Sequence, residues 1–241
     1  MTLYDGLDAA GLERLTDAPL VLVAASLGST QDEIHRLGAE GAPSGAVVLA
    51  DGQTAGRGRL GRAWHSPPGG GVWLSVLLRL GRPPAGGALA IRAGLAAVAA
   101  VAQAAPGLAP RLRWPNDLMA ADRKVGGVLC EGRRGGPGAA WVAVGVGINV
   151  AGPVPRDLRD RAAALEDLAP GVSRLAIVAA LVPRLRALAG LPPTLDVPER
   201  QAFLALEWRD ARAERTVDLE PDGALLVRTA AGALDRRVSA P

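Results

Sequence analysis

The segment 56–64 concentrates the residues best suited to bind a phosphorylated ligand. It reads G-R-G-R-L-G-R-A-W, so Arg57, Arg59 and Arg62 stand among three glycines. Guanidinium groups bind phosphate and carboxylate oxygens with paired hydrogen bonds, and glycines let backbone N–H groups come close to an anion. The segment therefore predicts a loop that binds a polyphosphate or an acyl phosphate. A solvated surface loop is the plain alternative.

The same segment contains the G-x-G-x-x-G spacing of dinucleotide-binding proteins, but its context excludes that interpretation. The fingerprint requires a helix directly after the glycines and an acidic residue about 20 positions further on. Here the glycines lead into W-H-S-P-P-G-G-G at 64–71, which cannot continue a helix, and residues 74–80 contain no acid.

A second group of polar residues begins with R-W-P-N-D at 113–117. Pro115 predicts an extended Trp114, and the Asn-Asp pair that follows predicts a turn stabilised by side chains. Lys124 is the only lysine in a chain with 27 Lys and Arg residues, and it precedes a glycine-containing strand. An ammonium group is a compact charge with three rotatable donors, so Lys124 suggests a point-charge contact with a ligand. Chance retention of one lysine is the alternative.

The stretch 142–150 predicts a strand with two very different faces. Its even-numbered residues are all Val or Ile, whereas the odd-numbered ones are Ala143, Gly145, Gly147 and Asn149. A strand face without side chains lets a ligand or another backbone approach closely. Asn149 fits two interpretations: an amide that binds a purine edge or a ureido group, and a structural residue that ends the strand.

Together the arginine–glycine loop, the single lysine and the glycine-lined strand predict nucleotide-dependent acyl activation. Other chemistries lack their residues. His35 lies in a predicted helix and His65 in a loop, with no serine elbow for a catalytic triad. One cysteine and two histidines are too few for a metal cluster, and no Walker A motif is present.

A mixture of strands and helices must position these residues. The strands are predicted in six stretches, 20–25, 46–50, 72–80, 112–114, 125–131 and 141–150. The apolar residues of the third stretch alternate, which is typical of a strand with one buried face. A glycine-rich turn at 135–138 should join the last two strands, and residues 216–229 predict a hairpin with its turn at 221–223.

Helices are predicted between these strands rather than in strict alternation with them, so the fold class is α+β. One helix should begin after Gly28, where Thr30 and Glu33 have the spacing of a capping box. The others are predicted over 87–105, 174–189 and 198–208.

The composition predicts a folded protein of the cytoplasm. Hydrophobic residues make up 49% and aromatic residues 3%, so a large core can form, mainly from Val, Leu and Ala. The pI of about 9.9 can indicate nucleic-acid binding, but the arginines are dispersed and nearly balanced by acids, and the net charge is only +3. Nucleic acid is therefore not the expected partner. Cys130 alone cannot form an intrachain disulfide, and neither a secretory signal nor a membrane span is predicted.

Five motifs resemble, in their order and spacing, those of the biotin–protein ligase family. They are S-T-Q at 29–31, Q-T-A-G-R-G-R-L-G-R-A-W at 53–64, R-W-P-N-D at 113–117, K-V-G-G-V-L at 124–129 and G-V-G-I-N at 145–149. The resemblance covers residues 20–210. It implies a mixed central sheet with helices packed on it, as in class II synthetases and the biotin and lipoate ligases, followed by a small β domain that resembles a truncated SH3-like barrel.

The resemblance also implies the reaction and its residues. The enzyme would use ATP to form biotinoyl-AMP and then transfer biotin to a lysine of a biotin carboxyl carrier protein. Mg²⁺ would arrive with ATP, held by phosphates and water rather than by protein ligands. The implied catalytic residues are Lys124, Arg57 and Arg59. The implied biotin contacts are Ser29, Thr30, Gln31, Gln53, Gly56, Arg57, Gly58, Arg59, Lys124 and Gly127. The implied ATP contacts are Arg57, Arg59, Arg62, Trp64, Asn116, Asp117, Lys124 and Asn149.

The chain also departs from the family pattern. Gln31 stands where the family has Asn, and Arg113 where it has Lys. We expect a catalytic domain over 1–208 and a small β domain over 209–241 that matches only the latter half of the family's barrel. Fewer than 30 residues precede the first strand, which predicts no helix-turn-helix and no repressor activity. Pairing of two copies into a homodimer is a further expectation. The alternatives are a lipoate–protein ligase and a non-enzymatic basic module that binds nucleic acid.

Overall fold

The computed structural model describes residues 2–82, 84, 86–134, 140–210 and 214–238. These residues form a seven-stranded sheet, a three-stranded sheet and five α-helices. The strands of the large sheet are β1 (Val21–Leu27), β2 (Val47–Gln53), β3 (Gly71–Leu78), β4 (Arg111–Arg113), β5 (Asp117–Ala120), β6 (Arg123–Arg134) and β7 (Ala140–Asn149). Those of the small sheet are β8 (Arg215–Leu219), β9 (Leu225–Arg228) and β10 (Leu234–Arg237). The helices are α1 (Ala9–Thr16), α2 (Thr30–Ala39), α3 (Ala88–Ala104), α4 (Arg174–Ala187) and α5 (Val197–Leu206).

The large sheet is mixed, with strand order β1-β2-β3-β7-β6-β5-β4. β1 and β2 pair in parallel and are connected by α2, whereas every other neighbouring pair is antiparallel. A parallel pair needs a crossover between its strands, while antiparallel strands can be joined by short turns. The predicted α+β class with a mixed central sheet is confirmed.

The central strand β3 is buried along its whole length. Val72, Leu74, Val76 and Leu78 belong to the main core, which α3 and α4 cover, while Leu77 packs on the other face in a second cluster with residues of α2. The prediction of a single buried face for this strand is therefore wrong. The apolar residues at alternate positions show which residues share a face, but only the packing of α2 decides that the second face is covered too.

The start of α2 differs from the predicted capping box. Ser29 is the N-cap, and its hydroxyl accepts a hydrogen bond from the backbone N–H of Gln31 at 3.3 Å. Glu33 pairs with Arg36 at 2.6 Å instead of reaching back to the cap. The acids in the first turn still favour the helix, because they lie near the positive end of its dipole.

Several elements and boundaries also differ from prediction. Asp117 is the first residue of β5, a strand that was not predicted, and the turn before it comprises residues 114–116. α5 ends at Leu206 rather than at Trp208, and α1 was not predicted either. The glycine-rich turn expected at 135–138 lies outside the described residues.

α3 is the apolar helix predicted over 87–105. Its buried Arg92 donates hydrogen bonds to Glu199 at 2.6 Å and to the carbonyl of Thr194 at 2.7 Å. A buried guanidinium group is tolerated because its donors are satisfied in this way. Within the part of the chain that the structure describes, no helix has the length and apolarity needed to cross a membrane.

The predicted hairpin β8–β9 is present, and β10 adds a third strand to it. The backbone of its turn, residues 221–223, contacts the part of the chain that contains the large sheet. The N–H of Gly87 donates to the carbonyl of Asp222 at 2.8 Å, and the indole N–H of Trp114 donates to the carbonyl of Gly223 at 3.0 Å. The small sheet is thus fixed against the start of α3 and the turn between β4 and β5.

Candidate active site

A cleft of about 890 Å³ lies over the glycine-bearing face of β6 and β7. It is bordered by the start of α2, the arginine loop of residues 56–64 and the segment 151–162. Every residue that the sequence nominated for the site, apart from Gly56, lines this one cleft: Ser29, Thr30, Gln31, Gln53, Arg57, Gly58, Arg59, Arg62, Trp64, Asn116, Asp117, Lys124, Gly127 and Asn149.

One end of the cleft is polar but uncharged. The side-chain oxygen of Gln53 accepts from the backbone N–H of Thr30 at 2.8 Å, and its amide nitrogen donates to Ser66 at 2.8 Å. The buried hydroxyl of Ser75 forms a hydrogen bond with the hydroxyl of Thr30 at 2.9 Å. Amides and hydroxyls that are already oriented by one another can bind a neutral polar group with directional hydrogen bonds.

Gln31 extends this polar end across β7. Its side chain is buried, and its oxygen accepts from Ser75 at 2.8 Å. A Cβ atom on Gly145 would lie only 2.9 Å from that oxygen. A side chain at position 145 would therefore displace the Gln31 amide that lies on this glycine.

Trp64 occupies the middle of the same face. A Cβ atom on Gly147 would lie 2.6 Å from the indole nitrogen of Trp64, and one on Gly127 would lie 3.5 Å from its ring. Two side chains, Gln31 and Trp64, thus pack on the small-residue face predicted for β7. The indole forms an apolar wall between the neutral end of the cleft and Lys124, whose ammonium lies 5.0 Å from the ring centroid.

The other end of the cleft is cationic. The ammonium of Lys124 lies 2.5 Å from Asp117, which also pairs with Arg113. Arg113 in turn lies 5.6 Å from the ring of Trp208, a residue of the segment after α5. One carboxylate therefore orients two cations at this end of the cleft.

The arginine loop is a small folded unit. Arg57 and Ala63 form a β-bridge, and the N–H of Gly58 donates to the carbonyl of Arg62 at 2.7 Å. Leu60 lies at the tip with φ of 57° and is 70% exposed. A Cβ atom on Gly56 would meet the Trp64 carbonyl at 2.6 Å, so Gly56 is needed for loop closure. Because Gly56 does not line the cleft, its expected contact with biotin stays a prediction.

Two arginines tie this loop to the rest of the cleft. Arg59 donates to the side-chain oxygen of Asn116 at 3.2 Å. Arg57 lies between Asp32 at 2.5 Å and Glu131 at 3.3 Å. Burial lowers the pKa of Arg57, but the two carboxylates outweigh that effect and raise the pKa above its ordinary value. Arg57 is therefore a permanent cation at the base of the loop.

Asn149 lines the cleft at the end of β7 and donates to the carbonyl of Ala163 at 3.2 Å. The same segment is fixed to Lys124 by two backbone hydrogen bonds, from Lys124 N–H to Arg161 and from Ala163 N–H to Lys124, of 2.8 and 3.0 Å. Asn149 thus supports the cleft wall beside Lys124. Whether it also binds a purine stays a prediction.

Sequence reasoning missed Trp208, which lines the cleft, and two residues that hydrogen-bond to its lining, Ser75 and Glu131. Ser75 had a visible signal, because it is the only polar residue in an otherwise apolar strand. Glu131 and Trp208 had none, since their partners Arg57 and Arg113 lie far away in the sequence.

The cleft can therefore hold an extended ligand with a neutral polar head at one end and an anionic group at the other. Among the described residues, no group of three or more His, Cys, Asp or Glu side chains could hold a metal ion. The cations, which are suited to phosphate and carboxylate oxygens, supply the charge of the site.

Comparison with known proteins gives these features a family context. The model of the biotin/lipoate A/B protein ligase family matches residues 23–149, slightly more than half of the chain. The bifunctional ligase/repressor BirA of Bacillus subtilis is 40% identical over 154 residues, which are 62% of this chain and 45% of that protein. The biotin–[acetyl-CoA-carboxylase] ligase of Mycobacterium tuberculosis is 38% identical over 162 residues, 64% of this chain and 59% of that one. The matches thus span about half the length of these relatives.

Solved structures with the same fold cover nearly the whole chain. A biotin protein ligase from Aquifex aeolicus, in complex with biotin and ATP, has a TM-score of 0.72 at 26% identity, with 91% of this chain and 95% of that chain covered. A biotin protein ligase from Leishmania major, in complex with biotinyl-5-AMP, has a TM-score of 0.65 at 25% identity and covers 92% and 99%.

Proposed function

This chain belongs to the biotin/lipoate A/B protein ligase family, and we propose that it is a biotin–protein ligase. It would form biotinoyl-AMP from biotin and ATP and transfer biotin to a lysine of a biotin carboxyl carrier protein. The Mycobacterium tuberculosis relative is a biotin–[acetyl-CoA-carboxylase] ligase, and the similar Aquifex aeolicus structure contains biotin and ATP. These similarities favour biotin over lipoate as the acyl group.

The observation that carries this proposal is the division of the cleft by Trp64. The neutral hydrogen-bonding groups of Thr30, Gln31 and Gln53 suit a ureido ring, which has both donors and acceptors but no charge. The indole suits an aliphatic chain, and Lys124, whose ammonium lies 5.0 Å from the ring centroid, would bind the carboxylate. Biotin has these three parts in this order.

In the proposed first step a carboxylate oxygen of biotin attacks the α-phosphorus of ATP. The new P–O bond forms as pyrophosphate leaves, and biotinoyl-AMP is the product. Lys124 and Arg59, which line the cleft, would stabilise the negative charge that develops on the phosphate oxygens, with Arg57 at the base of the loop. Fixed cations that need no reorganisation are usually the largest source of catalysis in such sites.

In the second step the amine of the carrier lysine attacks the carbonyl carbon of biotinoyl-AMP. An amide bond forms, AMP leaves with the electrons of the broken C–O bond, and the ammonium proton is released to solvent. Mg²⁺ would enter as part of the ATP substrate, because phosphate oxygens and water can provide its preferred octahedral ligands. Asn149, Asn116 and Asp117 would contact or orient the nucleotide.

Pyrophosphate exchange into ATP tests this function. The purified protein should catalyse exchange that depends on biotin and is absent with lipoate. Adding a biotin carboxyl carrier protein should then give a product heavier by one biotin. Exchange with lipoate alone would replace the proposal by a lipoate ligase. Strongly salt-dependent binding of RNA or DNA without any exchange would favour a nucleic-acid module.

Thermal shifts provide a second measurement. Ligand that binds only the folded state raises its stability by RT ln(1 + [L]/Kd), so biotin and ATP should each raise the Tm. Together they should raise it by more than the sum of the separate shifts, because the tightly held product biotinoyl-AMP forms. Lipoate is the control.

We further propose a cytoplasmic location and a boundary between a catalytic domain, 1–208, and a small β domain, 209–241. The single cysteine supports the first, and the end of α5 at Leu206 supports the second. Pairing into a homodimer stays an expectation that sedimentation velocity would test.

A further inference from the structure

Glu131 is a carboxylate at the edge of the cleft that the reaction proposed above does not use. It lies four residues beyond Gly127 on β6, so both project from the same face of the strand. Its partner across β7 is Ala143, which packs beneath α2. Glu131 is thus a charged side chain between the sheet and α2, with one third of its surface exposed.

Donors from two other parts of the chain converge on a single oxygen, Oε2. Arg57 of the arginine loop donates to it at 3.3 Å, and the amide of Gln31 at the start of α2 donates at 3.2 Å. Hydrogen bonds to a charged acceptor are stronger than neutral ones. One carboxylate oxygen therefore connects the base of the loop to α2.

The guanidinium group of Arg57 is held on its other side by Asp32, at 2.5 Å. Asp32 is on α2 and Glu131 is on β6, so Arg57 bridges the helix and the sheet. The two carboxylates therefore fix Arg57, the residue that also forms the β-bridge with Ala63. The position of the loop relative to the cleft consequently depends on this pair of carboxylates.

Gln31 connects the same carboxylate to the neutral end of the cleft. Its amide oxygen accepts from Ser75 while its nitrogen donates to Glu131, so both ends of one buried amide are used. A continuous line of hydrogen bonds therefore runs from Ser75 through Gln31 and Glu131 to Arg57. Gln31 lines the proposed ureido site, and Arg57 lies in the loop.

The neighbouring histidine does not displace Arg57 from Glu131. The indole N–H of Trp141 donates to Nδ1 of His35 at 3.0 Å, so Nδ1 carries no proton and the ring is neutral. Its other nitrogen lies 3.6 Å from Glu131, which is longer than a good hydrogen bond. Arg57 is thus the cation closest to Glu131 among the contacts described here.

We propose that Glu131 is a positioning residue of the ligase reaction. It holds Arg57, and with it the arginine loop, in a fixed position relative to the ureido end of the cleft. This inference rests on the proposed function. Glu131 touches neither substrate nor reacting atoms and acts through Arg57. Gln31, longer by one methylene than the Asn it replaces in the family pattern, reaches both Ser75 and this carboxylate.

The first experiment compares Glu131→Gln with wild type in biotin-dependent pyrophosphate exchange. We expect kcat/KM for biotin to fall about tenfold, the factor that corresponds to about 1.4 kcal/mol. Glu33→Gln is the matched control, because it makes the same charge change on an acid whose partner is Arg36, outside the cleft. It should leave kcat/KM unchanged.

A double-mutant cycle then separates positioning from a general effect on the fold. If Glu131 acts through Arg57, the pair Glu131→Gln with Arg57→Gln should lose no more activity than Arg57→Gln alone. Additive losses would overturn the proposal. Asp32→Asn offers a second variant on the exposed side of the same bridge, and it should also lose activity only while Arg57 is present.

Limited trypsin digestion gives a readout that needs no activity. Trypsin cleaves after arginine, and the loop contains Arg57, Arg59 and Arg62. Cleavage there should be several-fold faster in Glu131→Gln than in wild type or Glu33→Gln, as measured by mass spectrometry of the fragments. Unchanged cleavage would overturn the proposal even if activity fell. If wild type shows no exchange, the proposed function fails, whereas faster loop cleavage in the variant would still support the role of Glu131 in holding the loop.

Discussion

Lys124 has a more constrained position than a surface lysine. Its ammonium is fixed by Asp117 at 2.5 Å and faces the ring of Trp64, and its backbone pairs with the segment 161–163. A guanidinium group is wider and planar, so it cannot take the same position between a carboxylate and an indole without displacing one of them. The chemical reason to keep lysine here is therefore geometric.

We expect Lys124→Arg to reduce the rate of biotinoyl-AMP formation by at least about a hundredfold, the size of effect seen when one preorganised donor is removed. The Tm should change little, because the side chain is partly exposed and keeps its charge. Single-turnover formation of the adenylate would measure the rate. Arg111→Lys, at an exposed position of β4, is the control, because it also exchanges an arginine and a lysine. A rate near wild type would remove Lys124 from its assigned role.

His35 predicts a pH dependence of stability. Burial lowers the pKa of His35, and Arg133 and Arg57 act in the same direction, while Glu131 opposes them. The unfolded chain, with an ordinary value near 6.5, therefore takes up the proton at a higher pH than the folded chain does. By linkage the folded state loses stability as the pH falls from about 6.5 to below the lowered pKa.

The measurement is the Tm between pH 7.5 and 5.5 for wild type and His35→Gln. The variant should lose less Tm over this range, because glutamine does not titrate. His65→Gln, which removes the exposed histidine of the loop, should behave like wild type. Equal losses in all three proteins would show that other groups cause the dependence.

The turn at 221–223 is one of the contacts that attach the small sheet, which α5 also contacts through the ion pair of Arg200 with Asp218. Gly223 has φ of +86°, and a Cβ atom there would lie 2.7 Å from the backbone of Gly87 at the start of α3. Both the left-handed backbone and the close approach require glycine. The same turn accepts the indole hydrogen bond of Trp114, so it connects the small sheet to the R-W-P-N-D motif.

Gly232 provides the matched comparison for this turn. It has φ of +83° in the turn before β10, but nothing lies within 4 Å of its Cβ position. Gly232→Ala should therefore lower the free energy of unfolding by only about 1–2 kcal/mol, the effect of a left-handed backbone on an L-residue. Gly223→Ala should lower the free energy of unfolding by more than this. It should also slow pyrophosphate exchange, because it shifts Trp114. Denaturant unfolding and exchange assays would measure both, and equal effects would mean that the contact with Gly87 contributes nothing.

The whole chain is unusual in its cations, since 26 of 27 Lys and Arg residues are arginine. Biotinoyl-AMP that escapes from an active site acylates accessible lysine amines, and arginine does not react in this way. The only lysine side chain is held by Asp117 inside the cleft. The proposed enzyme therefore presents almost no acceptor for its own intermediate.

We accordingly expect no more than about one biotin per chain after prolonged incubation with biotin and ATP, because a single lysine side chain is available. Intact-mass spectrometry would measure it. Arg134→Lys, which places an accessible lysine at the exposed end of β6, should add one further biotin. Several biotins on the wild-type chain would contradict this expectation.

Features that depend on neighbouring residues could be predicted from the amino-acid sequence alone. Alternating apolar residues located β3 and β7, and the motif G-R-G-R-L-G-R-A-W located the loop that lines the cleft. The nature of the cleft residues also followed, because amides, guanidinium groups and one ammonium have chemistry that does not depend on the fold.

Which strand faces are buried, and which distant side chains meet, depends on packing in three dimensions. Packing of α2 buried the second face of β3, placed Gln31 on Gly145 and brought Glu131 to Arg57, which is 74 positions away in the chain. Contacts of this kind have no periodic signal, because they depend on how several elements close around a common core. The sequence supplied the groups for acyl activation, and the packing of α2 against the sheet set the distances between them.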